Sequence, residues 1–140
     1  MSKRQVSTTK AAAPGAFYSQ AIVANGFLYT AGLGPQHPET GEIVGTTVAD
    51  QTEQTIKNLE AVLAVEGLDL SDVVKATVHL ADLAQDFRAF DKVYRHHFPA
   101  PLPARTTVGS ELWGIRVEID VVAALRPELD SPPQPRQESR

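Results

Sequence analysis

The stretch Pro103-Ala104-Arg105-Thr106-Thr107-Val108, followed by Ile115-Arg116-Val117-Glu118-Ile119-Asp120-Val121, says most about the fold of this chain. Arg105 comes directly after a Pro-bounded turn and begins an alternating segment, which predicts a strand and a fixed direction for its side chain. In the second segment the apolar residues take every other position, so Glu118 lies on the opposite, polar face. If the two segments pair as an antiparallel hairpin, Arg105 and Glu118 lie near one wall.

A guanidinium and a carboxylate at such a wall suit the binding and hydrolysis of a small acid. Arg holds a carboxylate through two parallel hydrogen bonds, and a nearby Glu orients or deprotonates water. An ordinary Arg–Glu cross-strand ion pair fits the same spacing, because such surface pairs are common and weak. The spacing alone leaves both interpretations open.

Further blocks of sequence surround this pair in a fixed order. They are Pro-Gly-Ala-Phe-Tyr-Ser-Gln-Ala at 14–21, Leu-Tyr-Thr-Ala-Gly-Leu-Gly-Pro at 28–35, Thr-Gly-Glu at 40–42 and Val-Val-Lys-Ala-Thr-Val-His-Leu at 73–80. Together with PARTTV at 103–108 and VEIDVVA at 117–123, they resemble the Rid (YjgF) family of reactive-intermediate imine deaminases. The resemblance covers roughly residues 11–125.

The resemblance implies a chorismate-mutase-like α+β fold, in which a mixed sheet carries two helices on one face. It also implies a homotrimer with its sites in the clefts between subunits. By the same resemblance, Arg105 binds the substrate carboxylate, Glu118 positions the attacking water and Tyr18 lies at the pocket edge.

Several candidate positions keep a second interpretation. Tyr18 equally fits a half-buried strand position. Gly32 allows backbone to approach a ligand closely, but a turn would use a glycine there as well. Thr107 shares a face with Arg105, where either a pocket hydroxyl or a cross-strand threonine is expected.

Three features depart from the family pattern and affect the expected substrate range. Ala31 stands where many members have Ser, and Asp91 stands where Asn is familiar. The connection of residues 110–114 is about two residues shorter than usual, and Trp113 is expected to take over part of its wall.

Composition limits the other functional classes. The net charge of −4 and the pI near 5.5 argue against a nucleic-acid surface, and therefore against the nucleic-acid cleavage sometimes attributed to this family. With no cysteine, thiolate metal sites and a Cys nucleophile are excluded. The four histidines form no metal-ligand pattern, so neither a metal nor a cofactor is expected. No signal peptide or membrane span is recognisable, which predicts a cytoplasmic protein without membrane contact.

The chain divides into one Rid-like domain at residues 1–126, with 1–13 partly flexible, and a Pro-rich tail at 127–140 that we expect to be disordered. Residues 5–9 suit an edge strand, and Asn25-Gly26 predicts a two-residue hairpin turn. Helices are expected at about 47–66 and 86–97, with Phe87, Phe90 and Tyr94 as the core stripe of the second. Strands are expected at 18–24, 27–31, 73–80, 105–109 and 115–124.

The resemblance implies an enzyme that deaminates 2-enamine and 2-imino acids, such as 2-aminoacrylate and 2-iminopropionate, to 2-keto acids and ammonia. Two alternatives stay open. One is a deaminase of the same family that serves a particular catabolic pathway and acts on another enamine. The other is a non-catalytic trimer that binds small carboxylates, for which Arg105 suffices and Glu118 is not needed.

Overall fold

The computed structural model describes residues 2–127 and contains two α-helices and one six-stranded sheet. In chain order the elements are β1 (Arg4–Val6), β2 (Ala21–Ala24), β3 (Phe27–Thr30), α1 (Val48–Ala64), β4 (Val73–Leu80), α2 (Leu83–His97), β5 (Ala104–Gly109) and β6 (Val117–Ala124). A short 3-10 helix, Leu70–Asp72, leads into β4. Of the predicted tail, only Pro127 lies within the described residues.

The first hairpin follows from its turn residues. Asn25 and Gly26 have φ values of 55° and 82°, the left-handed conformations that a type I′ turn needs and that these two residues adopt readily. The turn brings Ala24 opposite Phe27 and continues the ladder to Ala21 and Thr30. β1 pairs with β2 and forms one edge of the sheet, so the predicted edge strand is present, but it spans Arg4–Val6 and not residues 5–9.

Both predicted helices are present, and their first turns are capped by side chains. The Thr47 hydroxyl accepts a hydrogen bond from the Asp50 N–H at 3.1 Å and begins α1. α2 begins three residues earlier than its pattern predicts, because the Asp82 carboxylate accepts from the Gln85 N–H at 3.1 Å. The apolar stripe of α1 is fully buried at Ile56, Leu59, Val62 and Leu63.

The strand order is β1-β2-β3-β6-β4-β5, and every pairing is antiparallel except that of β4 with β5. α2 carries the chain from the end of β4 back to the start of β5, so these two strands run parallel. The expected β5–β6 hairpin is therefore wrong, since β4 lies between the two strands. The connecting segment crosses the end of β4, where the Ser110 N–H donates to the Leu80 carbonyl at 2.9 Å and the Ala81 N–H donates to the Arg116 carbonyl at 3.0 Å.

The helices pack on one face of the sheet and leave the other uncovered within the described chain. α1 contacts β3 and β6, and α2 contacts β4. On β6 the alternate residues Val117, Ile119 and Val121 are buried, while Glu118 and Asp120 belong to the other face. We call this second surface the open face. The expected α+β architecture, a mixed sheet with two helices on one face, is confirmed.

One core assignment is wrong. Phe90 and Tyr94 are buried as predicted, but Phe87 is 37% exposed. Its ring lies 5.8 Å from the Arg105 guanidinium carbon, so Phe87 borders the surroundings of Arg105 instead of filling the core.

Candidate active site

Glu118 is placed by a close contact between two strands. Beyond the end of β3 the chain continues along β6, and Leu33 and Ile119 exchange backbone hydrogen bonds of 2.9 and 3.0 Å. This brings Gly32 against the Glu118 side chain. A Cβ on residue 32 would lie 2.6 Å from Oε2 and 2.7 Å from Cδ of Glu118, so a glycine is needed for the carboxylate to occupy this position.

Glu118 and Gly32 line a cleft of about 460 Å³, which we call the carboxylate cleft. Tyr18 forms part of its wall, and its hydroxyl accepts a hydrogen bond from the Gly15 N–H at 3.1 Å. The buried Gln20 side chain fixes the N-terminal side of the cleft. Its Oε1 accepts from the Thr8 N–H at 2.7 Å, and its Nε2 donates to the Ala12 carbonyl at 2.8 Å.

The other side of the carboxylate cleft is held by α1. Asn58, which is 1% exposed, donates from Nδ2 to the Gly34 and Gln36 carbonyls at 2.9 Å each. The loop after Gly32 is therefore tied to a rigid helix. A cleft with fixed walls on both sides keeps the Glu118 carboxylate in one place, as a positioned acid–base group requires.

Arg105 lies in a second cleft, of about 710 Å³, which we call the guanidinium cleft. Its guanidinium carbon is 4.5 Å from the centre of the Tyr94 ring and 5.5 Å from that of Phe90. These aromatic faces of α2 form the floor beneath the cation. From the same helix, Asp91 accepts a hydrogen bond at Oδ1 from Arg105 Nη1 at 2.8 Å. Arg105 is thus oriented by a stack of rings and one carboxylate.

The pKa values of two titratable groups in the guanidinium cleft, Asp91 and Tyr94, differ from their ordinary values. Burial favours neutral Asp91, but hydrogen bonds from Arg105 and Arg95 outweigh it, so the pKa of Asp91 lies below its ordinary value and it remains ionised. Burial raises the pKa of the Tyr94 hydroxyl, although the nearby Arg105 charge opposes this. Tyr94 is therefore a neutral phenol, and its hydroxyl finds no hydrogen-bond partner within residues 2–127.

The two clefts do not meet within one chain. Arg105 pairs in register with the buried Ala76 of β4, which puts its side chain on the helix face, whereas Glu118 is on the open face. The clefts share no lining residue. The expectation that Arg105 and Glu118 lie near one wall of a single chain is therefore wrong, for the same reason as the hairpin: β4 separates their strands.

An ion pair between Arg105 and Glu118 of the same chain is excluded on the same grounds. Arg105 pairs with Asp91 at 2.8 Å, and Arg116 pairs with Asp86 at 3.0 Å. Within the described part of the chain, Glu118 takes part in no salt bridge.

The remaining predicted residues divide between the clefts and their surroundings. Tyr18 and Gly32 join Glu118, and Asp91 joins Arg105. Ala31 packs against the core, and its N–H donates to the Gln20 carbonyl at 2.8 Å. Thr107 shares the face of Arg105 two residues further along β5 but lines neither cleft. Trp113 is fully exposed and lies outside both clefts as well.

Sequence reasoning named Asp91 as a candidate site residue but missed the rest of the helical wall around Arg105. Phe87, Asp91, Tyr94 and Arg95 all line the guanidinium cleft. Their spacing of three and four residues on α2 is the signal that would have found them, because such residues share one face of a helix.

Neither a metal-binding cluster nor a membrane helix is found in the described residues. Between residues 2 and 127, no group of three or more His, Cys, Asp and Glu side chains is placed to hold a metal ion. Over the same residues, no helix is long and apolar enough to cross a membrane. His79, on the open face, instead lies 2.7 Å from the Ser110 hydroxyl through Nδ1.

The family described as Endoribonuclease L-PSP matches residues 8–125, which include both clefts' defining residues, Arg105 and Glu118. The chain belongs to this family. Its Rid (YjgF) members include a protein from Arabidopsis thaliana named Reactive Intermediate Deaminase A, chloroplastic, which is 46% identical over 125 residues. The match spans 88% of this chain and 66% of the Arabidopsis protein, just under two thirds of its length.

Other relatives of this Rid protein match over nearly their whole length. The Homo sapiens protein named 2-iminobutanoate/2-iminopropanoate deaminase is 37% identical over 129 residues, 89% of this chain and 92% of its own. Among solved structures, Escherichia coli TdcF with bound serine superposes with a TM-score of 0.79 at 28% identity, covering 88% of this chain and 99% of TdcF. The Rid fold inferred from the sequence blocks is thus confirmed.

Proposed function

We propose that this Rid protein hydrolyses 2-imino acids, the tautomers of reactive 2-enamino acids such as 2-aminoacrylate, to 2-keto acids and ammonia. The human relative is named for 2-iminobutanoate and 2-iminopropanoate, and the Arabidopsis relative for reactive intermediates. The observation that carries the proposal is Arg105, a guanidinium oriented on an aromatic floor and bordering an open cleft. Such a group suits a small carboxylate substrate.

In the proposed reaction the substrate carboxylate binds Arg105 and a water molecule is oriented by Glu118. The water oxygen bonds to the imine carbon, and its proton passes through Glu118 to the nitrogen. As the C–N bond of the resulting tetrahedral adduct breaks, the proton of the new hydroxyl passes to the nitrogen, which leaves as ammonia, and the C–O bond becomes the keto group. The imine is already reactive, so orientation and charge complementarity provide most of the acceleration. The proposed route uses no cofactor or metal.

We further propose that two copies of the chain complete each site within a homotrimer. Arg105 and Glu118 lie on opposite faces of the sheet, so one substrate contacts both only if they come from different copies. The open face also exposes Phe27, Tyr29 and Val108, each at least 36% accessible, and apolar surface of this kind favours burial against another copy. A ring of three provides three equivalent sites.

Substitutions at the two charged residues test the proposal. Arg105→Ala should abolish imine hydrolysis and the binding of pyruvate, because the carboxylate loses its partner in ground and transition states alike. Arg105→Lys should also be damaging, since Lys lacks the planar fork. Glu118→Gln keeps the shape without the charge and should slow turnover by roughly 10²–10⁴ while pyruvate still binds.

Two measurements separate these effects. Semicarbazide trapping follows the consumption of imines generated from several amino acids, and calorimetry gives the affinity for pyruvate. If Glu118→Gln consumes imine at the wild-type rate, Glu118 has no part in the chemistry. If the wild-type protein accelerates the hydrolysis of no 2-imino acid but binds pyruvate through Arg105, the protein is the carboxylate-binding trimer and not an enzyme.

Two further sequence-based expectations stay predictions. A dedicated catabolic pathway, suggested by Ala31 and the short 110–114 connection, would appear in the same assay as a preference for one imine. The cytoplasmic location also stays a prediction, and the Arabidopsis relative is named chloroplastic.

A further inference from the structure

Asp91 places a negative charge in the cleft where the proposed substrate carboxylate binds. Its Oδ1 accepts a hydrogen bond from Arg105 Nη1 and its Oδ2 accepts one from Arg95 Nε, both at 2.8 Å. The Asp91 side chain is 14% exposed and that of Arg105 is 21% exposed, so this pair lies well inside the cleft. Arg95, at 80%, lies at the solvent side.

The charges of the cleft can be counted from its lining. Its charged members are Asp91, Arg95 and Arg105. Because the hydrogen bonds from both arginines keep the pKa of Asp91 below its usual value, the carboxylate is ionised near neutral pH. Within one chain, two positive charges and one negative charge leave the guanidinium cleft with a net charge of +1.

Asp91 also takes part of the hydrogen-bonding capacity of Arg105. A guanidinium has five N–H donors arranged on two usable edges, and Nη1 is already bonded to Asp91. A substrate carboxylate can approach the rest of the fork, but a second carboxylate on the same substrate would meet the Asp91 charge at close range. The positive charge of Arg95 at the mouth of the cleft does not fully offset this repulsion, because Arg95 is solvated and its Nε is bonded to Asp91.

We propose that Asp91 is a positioning residue that restricts the Arg105 site to substrates with a single carboxylate. The inference rests on the proposed function, since it assumes that Arg105 binds the substrate carboxylate. It names the substrate class more narrowly: 2-imino monocarboxylates with small or apolar side chains are accepted, and 2-imino dicarboxylates are rejected by like charge. Specificity of this kind arises from a repulsive group as much as from attractive ones.

Asp91→Asn tests the proposal. Asn has nearly the same volume and keeps an oxygen acceptor for Arg105, but it has no charge. Calorimetry would compare pyruvate and 2-oxobutyrate, with one carboxylate, to oxaloacetate and 2-oxoglutarate, with two. We expect the wild-type protein to prefer the monocarboxylates by about tenfold or more, and Asp91→Asn to reduce that preference to about threefold or less, as removal of one partly screened charge predicts.

The ratio of the two ligand classes is the decisive quantity. A merely structural role of Asp91 would weaken both classes alike, whereas removal of a charge strengthens dicarboxylate binding more than monocarboxylate binding. In trapping kinetics the larger change should lie in KM for imines of dicarboxylic amino acids. Glu60→Gln removes the same charge from an exposed position of α1 outside both clefts, and it should leave the ratio unchanged.

The results for Arg105→Ala and Asp91→Asn together distinguish a failure of this inference from a failure of the proposed function. If Arg105→Ala abolishes pyruvate binding but Asp91→Asn leaves the ratio as in the wild type, the inference is overturned and the proposed function stands. If Arg105→Ala leaves pyruvate binding intact, both are overturned. Asp91→Ser, which also removes the charge, repeats the comparison if the thermal midpoint of Asp91→Asn shows loss of the fold.

Discussion

Gly32 shows at the scale of a single residue how the candidate site depends on a missing side chain. Its backbone φ lies outside the left-handed region, so conformational freedom is not what the position requires. The requirement is space, because a Cβ would lie 2.6 Å from the Glu118 Oε2 atom. Alanine at this position would therefore displace the Glu118 carboxylate while the backbone fold is retained.

We predict that Gly32→Ala lowers turnover by about 10², the loss expected when a reacting group moves by roughly 1 Å. Pyruvate binding should persist, since Arg105 lies in the other cleft. Gly109→Ala is the matched control: it is a strand glycine whose added Cβ would meet Leu83 Cβ at an ordinary 3.5 Å. Imine trapping and calorimetry measure both properties. Wild-type turnover in Gly32→Ala would mean that the position of Glu118 does not matter.

At the scale of the elements, local patterns identified strands and helices but not every neighbour. Asn25-Gly26 predicted its hairpin because two left-handed residues leave the chain few other ways to turn. The connection from β5 to β6 carried no such signal. Its length suits a hairpin turn, yet it also suits a crossing over the end of β4. The parallel pairing of β4 with β5 places β4 between β5 and β6, so the connection is a crossing.

The same limit applies to the candidate site. Alternation predicted the direction of Arg105 and Glu118 on their own strands, and each side chain does alternate as expected. What alternation cannot provide is which strands lie between them or which residues of α2 come to rest beside Arg105. Those contacts depend on how the helix packs across the sheet. Asp91 was a candidate from the family resemblance, but the Phe90 and Tyr94 rings beneath Arg105 required the tertiary structure.

Asp120, on the open face of β6, makes the stability of the folded protein depend on pH. Burial raises the pKa of Asp120, and the charges of His79, 3.9 Å away through Nε2, and Lys75 only partly oppose this. The folded state therefore favours the protonated form. The corresponding stability is present below the ordinary Asp pKa of about 3.9 and is lost as pH rises through the folded-state value.

We predict that Asp120→Asn, which cannot ionise, raises the thermal midpoint at pH 7–8 and that the gain shrinks towards pH 4. Asp69→Asn provides a comparison of opposite sign, because hydrogen bonds from Ser71 and then Arg126 lower the pKa of Asp69. That variant should lower the midpoint at neutral pH. A lower midpoint for Asp120→Asn at pH 8 would show that attraction between Asp120 and Lys75 exceeds the burial cost.

For the molecule as a whole, the separation of the two clefts has a consequence for how copies of the chain assemble. One chain presents Arg105 on the helix face and Glu118 on the open face, with β4 between their strands. A site that uses both must combine surfaces of two copies. Two kinds of contact bring an Arg105 of one copy to a Glu118 of another: a head-to-tail contact, which closes into a ring such as a trimer, and a twofold contact, which gives a dimer.

Mixed assemblies of two inactive variants test this arrangement. We predict that Arg105→Ala and Glu118→Gln, co-expressed with different affinity tags and purified through both, regain about one third of the wild-type turnover per trimer. In any ring of two plus one, only one interface joins an intact Arg105 to an intact Glu118, whichever variant is in excess. The separately purified variants are the controls, and sedimentation equilibrium should give three chains per particle. A site contained in one chain would leave every mixture inactive, and restoration near one half with two chains per particle would replace the trimer by a dimer.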